Sequence, residues 1–118
     1  MQGRRIDRIE EQIRMEVSEI LEREIQDPRV GLVTITGVKV SSDGSHARIF
    51  VSGLGGSDEH KKMLQGLKSA NHYIRRSLGH RLAHMRRIPE LIFEYDESIE
   101  RGNRIEALLK QIRPKEED

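Results

Sequence analysis

The spacing of apolar residues, which switches between a helical and a strand period, limits the possible folds of this chain more than any other feature. Apolar side chains recur every three or four positions across residues 4–25, which predicts an amphipathic helix. Its apolar face consists of Ile6, Ile9, Ile13, Val17, Ile20, Leu21 and Ile25. Pro28 disfavours helical backbone at Asp27, so the helix should end before this pair.

Two strands should follow this helix as a β-hairpin. Residues 32–41 alternate between apolar and polar side chains, and the parity changes at Gly37, which indicates a β-bulge. The Asp-Gly pair within residues 41–45 is a strong signal for a tight turn. Residues 46–54 alternate again and predict the return strand.

A second helical region and a third strand come next. Residues 58–85 regain helical spacing, with Ser57 as the expected N-cap and Pro89 as the end of the region. Residues 91–95 alternate and predict a strand, and residues 103–112 predict a shorter helix.

Length and element order together predict one domain. A chain of 118 residues can bury one modest core. Three strands with helices on one face make a two-layer α+β domain, which we assign to residues 1–112. Residues 113–118 are a charged tail that we expect to be disordered.

The charged residues are unevenly distributed. The net charge is only +1, yet residues 61–89 contain eight Lys and Arg side chains and no Asp or Glu. A sequestered block of one sign is typical of a protein that binds a polyanion. A solvated helix face is the alternative, but such faces normally mix signs through pairs one turn apart. Compensating charge would therefore come from a polyanion or from another part of the protein.

This basic segment has two faces if it forms a straight helix. The buried stripe consists of Ile74, Leu78, Leu82 and Met85. The opposite face carries His72, Arg75, Arg76, Arg86 and Arg87. Arg81 lies at the edge of the stripe, where its aliphatic stem can snorkel.

We interpret the basic face as a nucleic-acid interface that recognises phosphates and shape. Tyr73 is the only aromatic residue in the segment, which argues against a broad stacking platform for single strands. Periodicity does not distinguish RNA from DNA. An adaptor that binds an acidic protein through the same face is the alternative. Arg4, Arg5 and Arg8 form a second, weaker basic candidate.

No catalytic or metal site is predicted. His80 and His84 are one helical turn apart, but Arg81 occupies the general-base position of the metalloprotease motif and no third ligand is near. The GLGGS stretch, residues 53–57, resembles a phosphate cradle, but Asp58 replaces the last glycine of the dinucleotide pattern. We therefore expect a flexible joint there, no cofactor and no enzymatic activity.

The chain lacks Cys, a secretion signal and any apolar run long enough to span a bilayer. These features argue against a disulfide framework and predict a soluble, cytoplasmic protein. We expect it to act as a monomer, with no membrane partner and no small-molecule substrate.

Several stretches together carry a resemblance to a known family. They are RIDRIEEQIRMEVSEIL, DPRVG with LVTITGVKVSSD, A-x-I-F-V-S-x-L-G at 47–55, LKSANHYIRRSLG at 67–79, and IPELIFEYDESIERGNRIEALL at 88–109. They cover nearly the whole chain in the right order. The sequence resembles the ribosome-binding factor A family of bacterial small-subunit maturation proteins.

The resemblance implies a single K-homology (KH) type II domain with the order α-β-β-α-α-β. A kink would separate the two central helices at residues 70–72, where His72 stands in place of the usual Gly. It also implies binding to the free small (30S) ribosomal subunit and its 16S rRNA, a role in late processing of the rRNA 5′ end, and importance in the cold. The residues expected to contact rRNA are Lys68, Ser69, Ala70, Asn71, His72, Arg75, Arg76, Arg81, Arg86 and Arg87.

Overall fold

Two helices and three strands account for the regular structure of residues 2–98, the part of the chain that the computed structural model describes. In chain order they are α1 (Gln2–Arg23), β1 (Val33–Val40), β2 (His46–Gly53), α2 (Ser57–Arg81) and β3 (Glu90–Tyr95). The predicted α+β class is confirmed, and the first helix and all three strands begin within two residues of their expected positions. The helix expected at residues 103–112 and the tail at 113–118 lie outside the described residues.

The three strands form one sheet in the order β1-β2-β3. β1 and β2 are antiparallel, and β2 and β3 are parallel, so the chain must cross over between them through α2. The register of β1 shifts between Ile35 and Gly37, which leaves Thr36 as the extra residue. The predicted β-bulge at the change of parity is therefore confirmed.

The turn between β1 and β2 is stabilised by its own side chains. Gly44 has φ +75°, a left-handed conformation that favours glycine. The carboxylate of Asp43 accepts hydrogen bonds from the hydroxyls of Ser41 and Ser45, both at 2.7 Å. These donors hold the pKa of Asp43 well below its ordinary value. The predicted Asp-Gly turn is confirmed.

Both helices contribute to one core on a single face of the sheet. On β2, Ala47, Ile49 and Val51 are completely buried, while Arg48 between them is exposed. The core residues from the two helices include Ile13, Val17 and Ile20 of α1 and Leu67, Ile74 and Leu78 of α2. The predicted burial of the stripe is confirmed, because Ile74 and Leu78 of α2 and Leu82 after it are buried and Met85 packs against the core.

The central helical region forms one helix instead of two. α2 runs without interruption from Ser57 to Arg81, and no residue other than glycine has a positive φ among those that the structure describes. The expected division into two helices at residues 70–72 is absent, so the described elements follow the order α-β-β-α-β. Without a glycine in these positions, left-handed backbone would be costly, and the helical conformation continues through His72.

The helix boundaries also differ from those predicted. Gly56, not Ser57, is the N-cap, and its backbone N–H donates to the Glu59 carboxylate at 2.9 Å. At the other end, α2 stops at Arg81 instead of continuing to residue 85, and Leu82 is the C-cap. The segment of residues 82–89 is therefore non-helical and connects α2 to β3.

Candidate nucleic-acid interface

A cleft of about 690 Å³ lies where the first turns of α1 meet the β1–β2 turn and the segment after α2. Five arginines line it: Arg4, Arg5 and Arg8 from α1, and Arg86 and Arg87 from the segment of residues 82–89. His84 also lines this cleft. We call it the arginine cleft. It joins two groups of basic residues that are almost eighty positions apart in the sequence.

The positive charge of the arginine cleft is not neutralised by the described part of the protein. None of its five arginine side chains forms a hydrogen bond or ion pair with a residue between 2 and 98. Asp43 is the one carboxylate among the described residues that line the cleft, and it accepts hydrogen bonds from Ser41 and Ser45. The cleft therefore carries a large excess of positive charge.

The start of α1 adds to this positive potential. A helix N-terminus carries a partial positive charge and unpaired N–H groups, so acidic residues are usually favoured there. The first turn of α1 contains no acidic residue and instead carries Arg4 and Arg5. A bound anion would relieve the repulsion between these arginines and the helix dipole.

Of the residues predicted to contact rRNA, only Arg86 and Arg87 line the arginine cleft. They line it together with the secondary candidates of α1. The prediction that these two lie on the basic face of a straight helix is wrong, because the helix ends before them. Lys68, Ser69, His72 and Arg76 are exposed on α2 and do not line the cleft.

Two of the predicted contact residues donate side-chain hydrogen bonds to backbone carbonyls that follow α2 in the chain. Arg75 donates to the backbone carbonyls of Ile88 at 2.9 Å and Pro89 at 3.2 Å. Asn71 donates from its amide to the carbonyl of Leu91 in β3 at 2.9 Å. The half-buried Ala70 packs against the core. Arg75 therefore helps to position the segment that carries Arg86 and Arg87.

The positive charge of Arg81 is compensated by two acidic residues of α1 and by Glu24, which follows α1 in the chain. Its guanidinium lies 3.1 Å from Glu16, 3.4 Å from Glu19 and 2.7 Å from Glu24, and its side chain is 25% exposed. Glu24 above all, and then Glu16, raise the pKa of Arg81. For Arg81, the compensating charge therefore comes from another part of the protein, one of the two alternatives that the sequence left open.

Glu24 connects this ion-pair cluster to two further residues of α2. It accepts hydrogen bonds from the hydroxyl of Tyr73 at 2.7 Å and from that of Ser77 at 3.0 Å. Donation from Tyr73, Arg81 and Ser77 lowers the pKa of Glu24 below its ordinary value. The cluster fixes α2 against α1, so its role is in the fold and in orienting the two sides of the arginine cleft.

The structure gives little support to a metal site at His80 and His84 or to a phosphate site in the glycine-rich joint. The end of α2 separates His80 from His84, which are not one turn apart on a helix. Within residues 2–98, no group of three or more His, Asp or Glu side chains is placed to hold a metal ion. In the glycine-rich joint, the Gly56 N–H is already bound to Glu59. Neither of the two described helices has the length and apolar character needed to cross a membrane.

The arrangement of one sheet with helices on one face places the chain in the class of KH-like α+β domains. A crystal structure of ribosome-binding factor A from Thermus thermophilus superimposes with a TM-score of 0.68 at 28% identity, covering 76% of this chain and 94% of that one. A Thermus thermophilus model of the same factor, fitted into a cryo-EM map of its complex with 30S, gives 0.61 at 28% identity, covering 74% and 90%.

Sequence similarity narrows this class to one family. The model of the ribosome-binding factor A family matches residues 5–109. The ribosome-binding factor A of Natranaerobius thermophilus is 45% identical over 112 residues, which cover 95% of this chain and 85% of that protein. The chain belongs to the ribosome-binding factor A family.

Proposed function

We propose that this protein binds the free small (30S) ribosomal subunit through its 16S rRNA and assists late maturation of the subunit. The single observation that carries this proposal is the arginine cleft, in which five arginines are without a described acidic partner. The cryo-EM complex of the Thermus thermophilus relative with 30S supports it. Processing of the rRNA 5′ end, particularly in the cold, is part of the proposal because of the family resemblance.

The proposed mechanism is binding without chemistry. The core and the ion pairs of Arg81 hold α1, α2 and the segment of residues 82–89 in a fixed relation. Guanidinium groups placed this way can contact several phosphates at once, since each forms charge-assisted, often bidentate hydrogen bonds. Binding energy would then favour one rRNA conformation over others. We propose that the protein does this as a cytoplasmic monomer.

Salt dependence tests whether phosphates supply the affinity. If about four to six phosphates are neutralised, the logarithm of the association constant should fall with the logarithm of salt concentration at a slope of roughly −3 to −5. The measurement is co-sedimentation with purified small subunits over a series of potassium chloride concentrations.

The same assay separates RNA binding from an adaptor function. Limited RNase treatment of the subunits should release the protein if it binds rRNA, whereas contacts to an acidic ribosomal protein would survive. RNase-resistant binding would contradict the proposed function and favour the adaptor, and a slope near zero would contradict binding through phosphates.

A further inference from the structure

The arginine cleft has an apolar floor below a charged rim, and the rim consists of its five arginines. Ile9, Val40 and Met85 line the cleft and are half-buried, with their other sides packed against the core. The buried Pro89 completes this surface. A site made only for phosphates would not need an apolar floor, because phosphates are strongly hydrated. An apolar floor below a charged rim matches a ligand that has one apolar part and charged groups beside it.

We propose that the cleft holds one unstacked nucleotide of a single-stranded RNA segment. The base would pack on Ile9, Val40 and Met85, and the phosphates on either side of it would bind arginines of the rim. This inference rests on the proposed function and names the form of RNA that the site takes. The volume of about 690 Å³ lies within the range of pockets that enclose small ligands.

The distribution of the arginines favours a single strand over a duplex. Arg4, Arg5 and Arg8 belong to α1, and Arg86 and Arg87 belong to the segment after α2, so the cations come from two elements. A strand lying between those elements meets cations on both sides. In a duplex the bases are stacked and paired inside the helix, so they could not reach the floor. The phosphates of a duplex would contact the rim arginines, and the apolar floor would stay unoccupied.

Hydrogen bonds hold both sides of the floor, the end of β1 against α1 and the segment of residues 82–89 against α2. The backbone N–H of Val40 donates to the carboxylate of Glu10 in α1 at 2.7 Å. On the other side, Arg75 holds the carbonyls of Ile88 and Pro89. A cleft that is already ordered loses less conformational entropy when it binds, which favours specific contact with a base.

Three RNA probes test the proposal with the wild-type chain. They are a single strand of about eight nucleotides, within the site size of small single-strand binders, a duplex of equal length, and the same single strand with abasic sites. Fluorescence anisotropy should show the intact strand binding more tightly than the abasic strand by at least roughly fivefold, the order expected when one base loses its burial against an apolar floor. The duplex should bind more weakly than the intact strand.

Substitutions separate the rim from the floor. Arg86→Gln should reduce the salt slope by about 1 and weaken all three probes. Met85→Ser should leave the salt slope unchanged and remove the preference for the intact strand over the abasic strand. Lys61→Gln is the matched control, because Lys61 is exposed on α2 and does not line the cleft. It should keep the wild-type preference for the intact strand.

Several outcomes would overturn the inference. Equal affinity of the wild type for the intact and abasic strands would do so without any substitution. Tighter binding to the duplex would do so as well, and so would displacement of the RNA by polyglutamate at equal charge concentration. Pelleting of the wild-type chain with purified small subunits is measured in parallel. Normal pelleting with no base dependence rejects only the single-strand site, whereas absence of pelleting rejects the proposed function too.

Discussion

Reversing three charges of the arginine cleft should abolish co-sedimentation with purified small subunits. We expect the combined variant Arg5→Glu, Arg86→Glu and Arg87→Glu to lower the affinity at least roughly 100-fold, since each change would remove a proposed phosphate contact and add repulsion. All three side chains are exposed and have no ion pair with a described residue. The fold should therefore be retained, which circular dichroism and thermal unfolding would verify.

The matched control carries the same charge change elsewhere. Lys39, Lys61 and Lys62 are exposed, have no ion pair with a described residue and do not line the arginine cleft. Their combined replacement by Glu should reduce affinity much less, through long-range electrostatics alone. Normal co-sedimentation of the cleft variant would contradict the assignment of the site. An equal loss in both variants would show that net charge, and not the cleft, determines binding.

Truncating Leu78 should cost a large part of the stability of the fold. This side chain is fully buried in the stripe through which α2 contacts the core. Leu78→Ala removes buried methyl groups and leaves a cavity, so we expect the free energy of unfolding to fall by about 2–5 kcal/mol. That is a substantial fraction of the ~5–15 kcal/mol typical of small domains. Chemical denaturation monitored by circular dichroism measures it.

The same substitution at an exposed leucine provides the control. Leu54 follows β2 and is 80% exposed. Leu54→Ala should change the free energy of unfolding by no more than about 0.5 kcal/mol. If Leu78→Ala were equally mild, the packing of α2 described above would be wrong.

The local features of this fold could be predicted because their causes are local. The parity change at Gly37 and the Asp-Gly turn are properties of a few neighbouring residues, and both appear in the structure as predicted. The stripe of Ile74, Leu78 and Leu82 is likewise a matter of helical spacing. Burial of one apolar face is enough to orient each element against the sheet.

The helix count and helix end could not be predicted in the same way. The kink at residues 70–72 came from a resemblance, and this chain has His72 where that kink calls for glycine. At the other end, no glycine or proline follows Arg81 until Pro89. The helix ends next to Leu82, whose side chain is buried in the core. In the segment that follows, Arg75 donates hydrogen bonds to the carbonyls of Ile88 and Pro89.

The site itself depends on contacts between distant parts of the chain. Arg81 has acidic partners, but they come from residues 16–24 and are invisible to pairing rules within one helix. Arg86 and Arg87 join Arg4, Arg5 and Arg8 only because α2 ends and the chain turns towards α1. The charge pattern identified both basic groups, but only the tertiary structure shows that they line one cleft.

Crosslinking to purified small subunits is the most direct test of the proposed rRNA interface. Ultraviolet irradiation of the complex, followed by mass spectrometry of RNA-linked peptides and sequencing of the attached RNA, locates both partners. We expect linked peptides from residues 4–12 and 82–89, attached to 16S rRNA. Adducts confined to the open face of the sheet, where Lys39 and Arg48 lie opposite each other, or no RNA adducts at all, would contradict this account.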